Sequence, residues 1–110
     1  METTIKVGDI LAGTWGCTMT IPVFFKVTKI TPKQVKLAQY DGLMVQPTDG
    51  GYGQQGYEMP DFTRGQGDAV GMWRTCSYNG KPYLRVRMSN GEHVIPDVWD
   101  GKPVWADYMD

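Results

Sequence analysis

The sequence predicts an all-β fold, a small and partly open antiparallel barrel built by one domain, and three observations point there. Glycine and proline are dense, at 14 and 7 residues, and these are the two poorest helix formers. Apolar residues recur with a period of two in several short runs, the spacing of half-buried strands. Between those runs stand Asn79-Gly80, Asn90-Gly91 and Asp100-Gly101, dipeptides that reverse a chain tightly.

Taken in order, KVGDIL opens the fold, with Gly8-Asp9 as a small turn or bulge between Val7 and Ile10-Leu11. AGTWGCTMTIP reads as a loop in which Gly13 and Gly16 bracket one aromatic anchor, Trp15. VFFKVTKITPKQVKLAQY is the clearest element: Val23, Phe25 and Val27 alternate with Phe24, Lys26 and Thr28. Ile30 breaks that alternation and predicts a bulge near Thr28–Ile30. Thr31-Pro32-Lys33-Gln34 turns the chain, since proline presets a turn dihedral, and Val35, Leu37 and Gln39 return as a second strand.

Residues 41–69 hold seven of the 14 glycines and two of the prolines with little periodicity, so they read as a long Gly/Tyr-rich insertion loop, with a short strand at Leu43–Gln46. From Val70 the runs become regular again. VGMWRTCSY, KPYLRVRM and HVIP form a three-strand meander through the two Asn-Gly reversals, both of whose turn positions call for positive φ. Leu84, Val86 and Met88 point to the core, while Tyr83, Arg85 and Arg87 point out. Pro96–Trp99 reads as a turn or 3₁₀ step. Val104–Tyr108 reads as a closing strand that pairs with an early one, with Val104, Ala106 and Tyr108 on one face and Trp105 and Asp107 on the other.

A chain of 110 residues with net charge −1 is one domain's worth, and no global field draws it to nucleic acid or an acidic membrane. Charge is nonetheless uneven. Residues 64–91 set Arg64, Arg74, Lys81, Arg85 and Arg87 against Asp68, and residues 92–110 set Glu92, Asp97, Asp100, Asp107 and Asp110 against Lys102. Cys17 and Cys76 have no metal-type spacing and are expected as free, packed thiols in a cytoplasmic protein. No apolar run approaches a membrane span, so no membrane partner is expected.

Candidate chemistry is sparse. Gly51-Tyr52-Gly53-Gln54-Gln55-Gly56 has dinucleotide-loop spacing, yet Pro47–Gly50 precedes it and Glu58–Asp61 follows, so strand and helix are both missing from its flanks. It reads instead as a binding loop in which Tyr52, Tyr57, Phe62 and Arg64 contact a partner, rigid aromatics on adaptable backbone. His93, the only histidine, reads as structural, and no catalytic set, metal or cofactor site is expected. The basic face formed by Arg74, Lys81, Arg85 and Arg87 with Tyr78 and Tyr83 has the makeup of a single-strand nucleic-acid platform, aromatics for bases and cations for phosphates. Against it stands the plainer expectation that these arginines pair with the acidic C-terminal strand.

The chain also resembles the short, uncharacterised β-rich proteins of bacteriophages and mobile elements. The matching positions are Gly8-Asp9, Trp15-Gly16, Phe25, Val27 and Trp99-Asp100-Gly101-Lys102-Pro103, at both ends of the chain. The resemblance implies an SH3-like barrel and a phage origin. Such proteins include anti-CRISPR and other anti-defence inhibitors. The expected function is therefore a non-enzymatic, stoichiometric inhibitor of a host protein complex such as a CRISPR nuclease, acting in the host cytoplasm through residues 41–69. The alternative is a nucleic-acid-binding barrel using Arg74, Tyr83, Arg85 and Arg87.

Overall fold

The computed structural model describes residues 5–16, 19–48 and 54–108. Its regular elements are strands: β1 (Ile10–Trp15), β2 (Ile21–Ile30), β3 (Gln34–Pro47), β4 (Gln55–Thr75), β5 (Pro82–Arg87), β6 (His93–Val94), β7 (Asp97–Val98) and β8 (Val104–Asp107). They form one antiparallel sheet in the order β6-β5-β4-β3-β2-β1-β7, and β8 adds to the N-terminal end of β4. The all-β expectation holds. No helix among the described residues is long and apolar enough to cross a membrane.

The two ends of that strand order belong to one short segment. β6 pairs with β5 and β7 pairs with β1, and only Ile95-Pro96 separates β6 from β7. The sheet is open in hydrogen bonds at this point, yet the chain itself spans the gap. Gly13 permits the crossing: a Cβ there would lie 2.7 Å from Val94 Cγ2 and 3.4 Å from the Pro96 Cα. This corrects two expectations. AGTW is part of β1 and not a loop, and Asp97–Val98 is a strand partner of β1 in place of a turn.

Alternation builds the core where the ladder is regular. Val23, Phe25 and Val27 from β2, Val35 and Leu37 from β3, Leu84 and Val86 from β5, and Met88, Leu11, Ala69 and Val94 form one buried cluster, with Trp15 and Ile5 packed on it. Gln39 shares that inner face, and its Oε1 accepts the Ser89 N–H at 2.9 Å, so the buried amide is satisfied while it ties β3 to the β5–β6 turn. Phe24 departs from the expected pattern. It faces away from this cluster but is fully buried, with the Trp99 ring edge-on to it at 5.9 Å between centroids. The C-terminal segment therefore covers the other face of β2.

The β2–β3 hairpin and its bulge appear as expected. The register shifts between Val27 and Lys29, and Thr31 closes the turn through its N–H to the Gln34 carbonyl (2.8 Å) and its hydroxyl to the same oxygen (3.1 Å). The two Asn-Gly reversals are wider than two-residue turns. Gly80 and Gly91 have positive φ, but Asn79 and Asn90 do not. Each Asn instead uses Oδ1 to accept the N–H two residues on, from Lys81 and Glu92, and Asp100 does the same for Lys102. A side chain that mimics the turn backbone removes the need for a second left-handed residue.

The largest correction concerns residues 41–69. They are for the most part strand. β4 runs 21 residues and pairs with β3 from Gln34↔Met72 out to Pro47↔Gly56. The pairing slips between Ala38 and Tyr40, between Tyr40 and Gly42, and between Met44 and Gln46. These bulges put extra residues into one strand and break the two-residue period, so a paired arm looked like a loop. β8 completes this arm along Gln55–Glu58 and touches the early chain at one bridge, Thr20↔Asp107, so it is not chiefly the partner of an early strand.

Candidate functional site

The outer face of β3, β4, β5 and β6 gathers cations that are far apart in sequence. On β4, Val70, Met72 and Arg74 point out while Ala69 and Gly71 are buried. The ladder sets Val70 beside Arg87, Met72 beside Arg85 and Arg74 beside Tyr83. From the other side Lys36 pairs with Val70 and Gln34 with Met72, and His93 lies opposite Arg87. Together Gln34, Val70, Met72, Arg74, Arg85, Arg87 and His93 line a shallow concavity of about 410 Å³.

Arg74, Tyr83, Arg85 and Arg87 thus occupy neighbouring positions on one face of the sheet, Tyr83 outside the lining of the concavity. Lys81 and Tyr78 lie off this face in the β4–β5 loop, Tyr78 almost wholly exposed. The described part of the acidic C-terminal strand is placed away from these arginines. β8 sits on Gln55–Glu58, at the other end of β4 from Arg74. Asp68, opposite Ala38 and exposed, is a carboxylate that shares this face with the cations.

Sequence reasoning missed the lysines on the same face. Lys29 pairs directly with Lys36, and Lys26 lies opposite Ala38, both outward and exposed. The signal was present: Lys26 and Lys36 occupy outward positions of a readable hairpin, and closing it at Thr31–Gln34 brings Lys29 against Lys36. Like charges directly opposite on a sheet are unfavourable. The face keeps that arrangement along with exposed Val70 and Met72.

The proposed contact residues of the arm meet a different fate. Tyr52 lies outside the described residues. Tyr57 packs edge-on against Trp105 at 5.4 Å and Phe62 against Tyr40 at 5.1 Å, so the two occupy separate aromatic pairs and do not share one loop. Both stay substantially exposed, and so does Arg64. Of the Gly-rich motif, Gly51 and Gly53 lie outside the described residues, while Gly56 is inside β4, where a Cβ would fall on the Gln46 carbonyl. A strand follows it and no helix does. Cys17 also lies outside the described residues; Cys76 is free and half-buried at the end of β4.

One titratable cluster sits at the root of the arm. Glu58 is only 3% exposed and its Oε1 has no partner, although Tyr108 donates to the carboxylate. Its carboxyl packs on Gly42, a position where a Cβ would collide with it. Burial pushes the Glu58 carboxyl above its ordinary range, the Tyr108 hydroxyl partly offsets this, and nearby Asp41 adds to the rise. Burial and the Glu58 carboxylate push the Tyr108 phenol upward. By contrast, Asp61 is held low because Thr63 donates both its hydroxyl and its N–H to it. No group of three or more potential metal ligands occurs among the described residues.

Comparison with known proteins gives no match: no family model fits the chain, and no curated protein and no solved structure is significantly similar to it.

Proposed function

We propose that this chain is a non-enzymatic binding protein that holds single-stranded nucleic acid on the outer face of β3, β4 and β5. The observation that carries the reading is the meeting of Lys29, Lys36, Arg74, Arg85 and Arg87 on one sheet face, where Asp68 is outnumbered by the cations. A polyanion relieves the repulsion of such a face, and released counterions drive its binding. Tyr83, Met72 and Val70 offer flat, partly apolar ground for bases between the cations. The architecture that goes with this reading is an SH3-like barrel whose β6–β7 segment draws the two sheet edges together. The test is fluorescence anisotropy with a labelled single-stranded oligonucleotide over a range of salt. Affinity should fall steeply with salt, by a slope of about 0.7 per phosphate contacted. The double variant Arg85→Ala/Arg87→Ala should bind more weakly and with a flatter slope. No binding at low salt, or equal binding by the variant, rejects the reading.

A second reading is favoured by the exposed aromatics of the arm. Tyr57, Phe62 and Trp105 stay exposed despite their ring contacts, as rigid contact residues do. On this reading the chain is a phage-derived stoichiometric inhibitor of a host defence complex, such as a CRISPR nuclease, with Arg64 beside the aromatics. Co-elution with candidate host nucleases on size exclusion tests it. The complex should be lost in Tyr57→Ala/Trp105→Ala, and its survival in that variant would remove the arm as the contact.

A further inference from the structure

β3 is longer than its neighbour. β2 pairs with it only as far as Val23↔Asp41, while β3 continues to Pro47. From Gly42 to Pro47 one side of β3 is held by β4, and the other side has no strand partner among the described residues. Such an edge presents a row of free N–H and C=O groups, and proteins ordinarily guard it with charged side chains. Here Gly42-Leu43-Met44-Val45-Gln46 carries none, and Leu43 and Val45 are 50% and 47% exposed.

We propose that this edge pairs with the same edge of a second copy of the chain, as an antiparallel two-fold dimer. Charge favours a second copy as the occupant. The basic outer face and the acidic C-terminal region would each repel their own image, whereas Gly42–Gln46 is neutral and meets itself without repulsion. The sequence is also self-complementary in register. With the two-fold axis at Met44, Leu43 of each copy lies opposite Val45 of the other, giving two apolar cross-strand pairs related by symmetry. The slip between Met44 and Gln46 bends the strand at this point, which limits the pairing to a short stretch. A weak, concentration-dependent dimer follows. The inference does not depend on what the basic face binds.

Sedimentation velocity over a concentration series tests it, with far-ultraviolet circular dichroism to confirm that each variant is folded. The wild type should pass from monomer to dimer as concentration rises. Leu43→Lys and Val45→Glu, both at exposed positions, should each remain monomeric over the same range. The double variant Leu43→Lys/Val45→Glu sets opposite charges against each other across the axis, so it should recover the dimer at low salt and lose it at high salt. A wild type that stays monomeric at the highest concentration overturns the proposal. A dimer that persists in both single variants does so as well, and failure of the double variant to recover it rejects the register.

Discussion

The two halves of the β3–β4 ladder make an instructive contrast. From Gln34 to Ala38 the pairing with Asp68–Met72 is in register, and alternate residues go cleanly to the core or to the basic face. Beyond Ala38, out to Pro47, the same two strands slip three times, and their side chains find other partners: Phe62 on Tyr40, Tyr57 on Trp105, Glu58 on Gly42 and Tyr108. The regular half shares its inner face with the hydrophobic cluster. The slipped half stands away from it, and the molecule is elongated, 46 × 32 × 26 Å, to match. Backbone pairing alone therefore does not define a core. Stability should concentrate in the regular half, leaving the arm as the cheaper half to alter.

The sharpest way to break this contrast is to truncate one aromatic in each half. Phe25 is wholly buried in the cluster, and Phe25→Ala should cost about 3–5 kcal/mol, a large share of a small domain's stability. Phe62 is 51% exposed, and Phe62→Ala should cost about 1 kcal/mol or less. Urea denaturation of the two variants reads the difference, and equal losses would mean that the arm is as integral as the body. A somewhat smaller loss, about 1–3 kcal/mol, is expected for Gly13→Ala, because the added methyl forces Val94 and Pro96 away from β1. An unchanged stability there would show that the β6–β7 segment does not rest on β1.

At the root of the arm the expected effect is smaller and carries a pH signature. Glu58 titrates above its ordinary value of 4.5 in the folded chain because burial disfavours the carboxylate. The folded state then holds more protons than the unfolded state between those two values. Its contribution is full below the ordinary value and is lost as pH rises through the raised one. Asp41 and Tyr108 face the same carboxyl, and Glu58→Gln leaves them in place. That variant should flatten the decline of stability with rising pH, as followed by thermal melts across the acidic-to-neutral range. An unaltered pH profile would show that Glu58 is not the group responsible. The smallest effect is expected for Lys29→Glu, a gain of about 0.5 kcal/mol from turning a like-charge pair with Lys36 into an opposite one. The same change should weaken binding of single-stranded nucleic acid.

What could be read from the sequence follows the same division. Val23, Phe25, Val27, Leu84, Val86 and Met88 were legible as core because their strands are regular, and the Thr28–Ile30 bulge because it interrupts a clear period. Residues 41–69 were not, since each slip in register shifts the alternation and glycine leaves no side chain to count. The β6–β7 segment was equally hidden. Its two pairings last two residues each, and the closeness that Gly13 allows is a non-local fact. Within the candidate site the arginines of β4 and β5 were legible from one local hairpin. Lys29 and Lys36 join them only because β3 lies between β2 and β4.

The most direct test of the basic face is a residue-resolved one, a ¹⁵N–¹H correlation spectrum titrated with a short single-stranded oligonucleotide at low salt. Shifts should cluster at Lys29, Lys36, Met72, Arg74, Arg85, Arg87 and His93 and leave Leu43, Tyr57 and Trp105 unmoved. A spectrum that does not change, or one that changes only along the arm, would contradict the account.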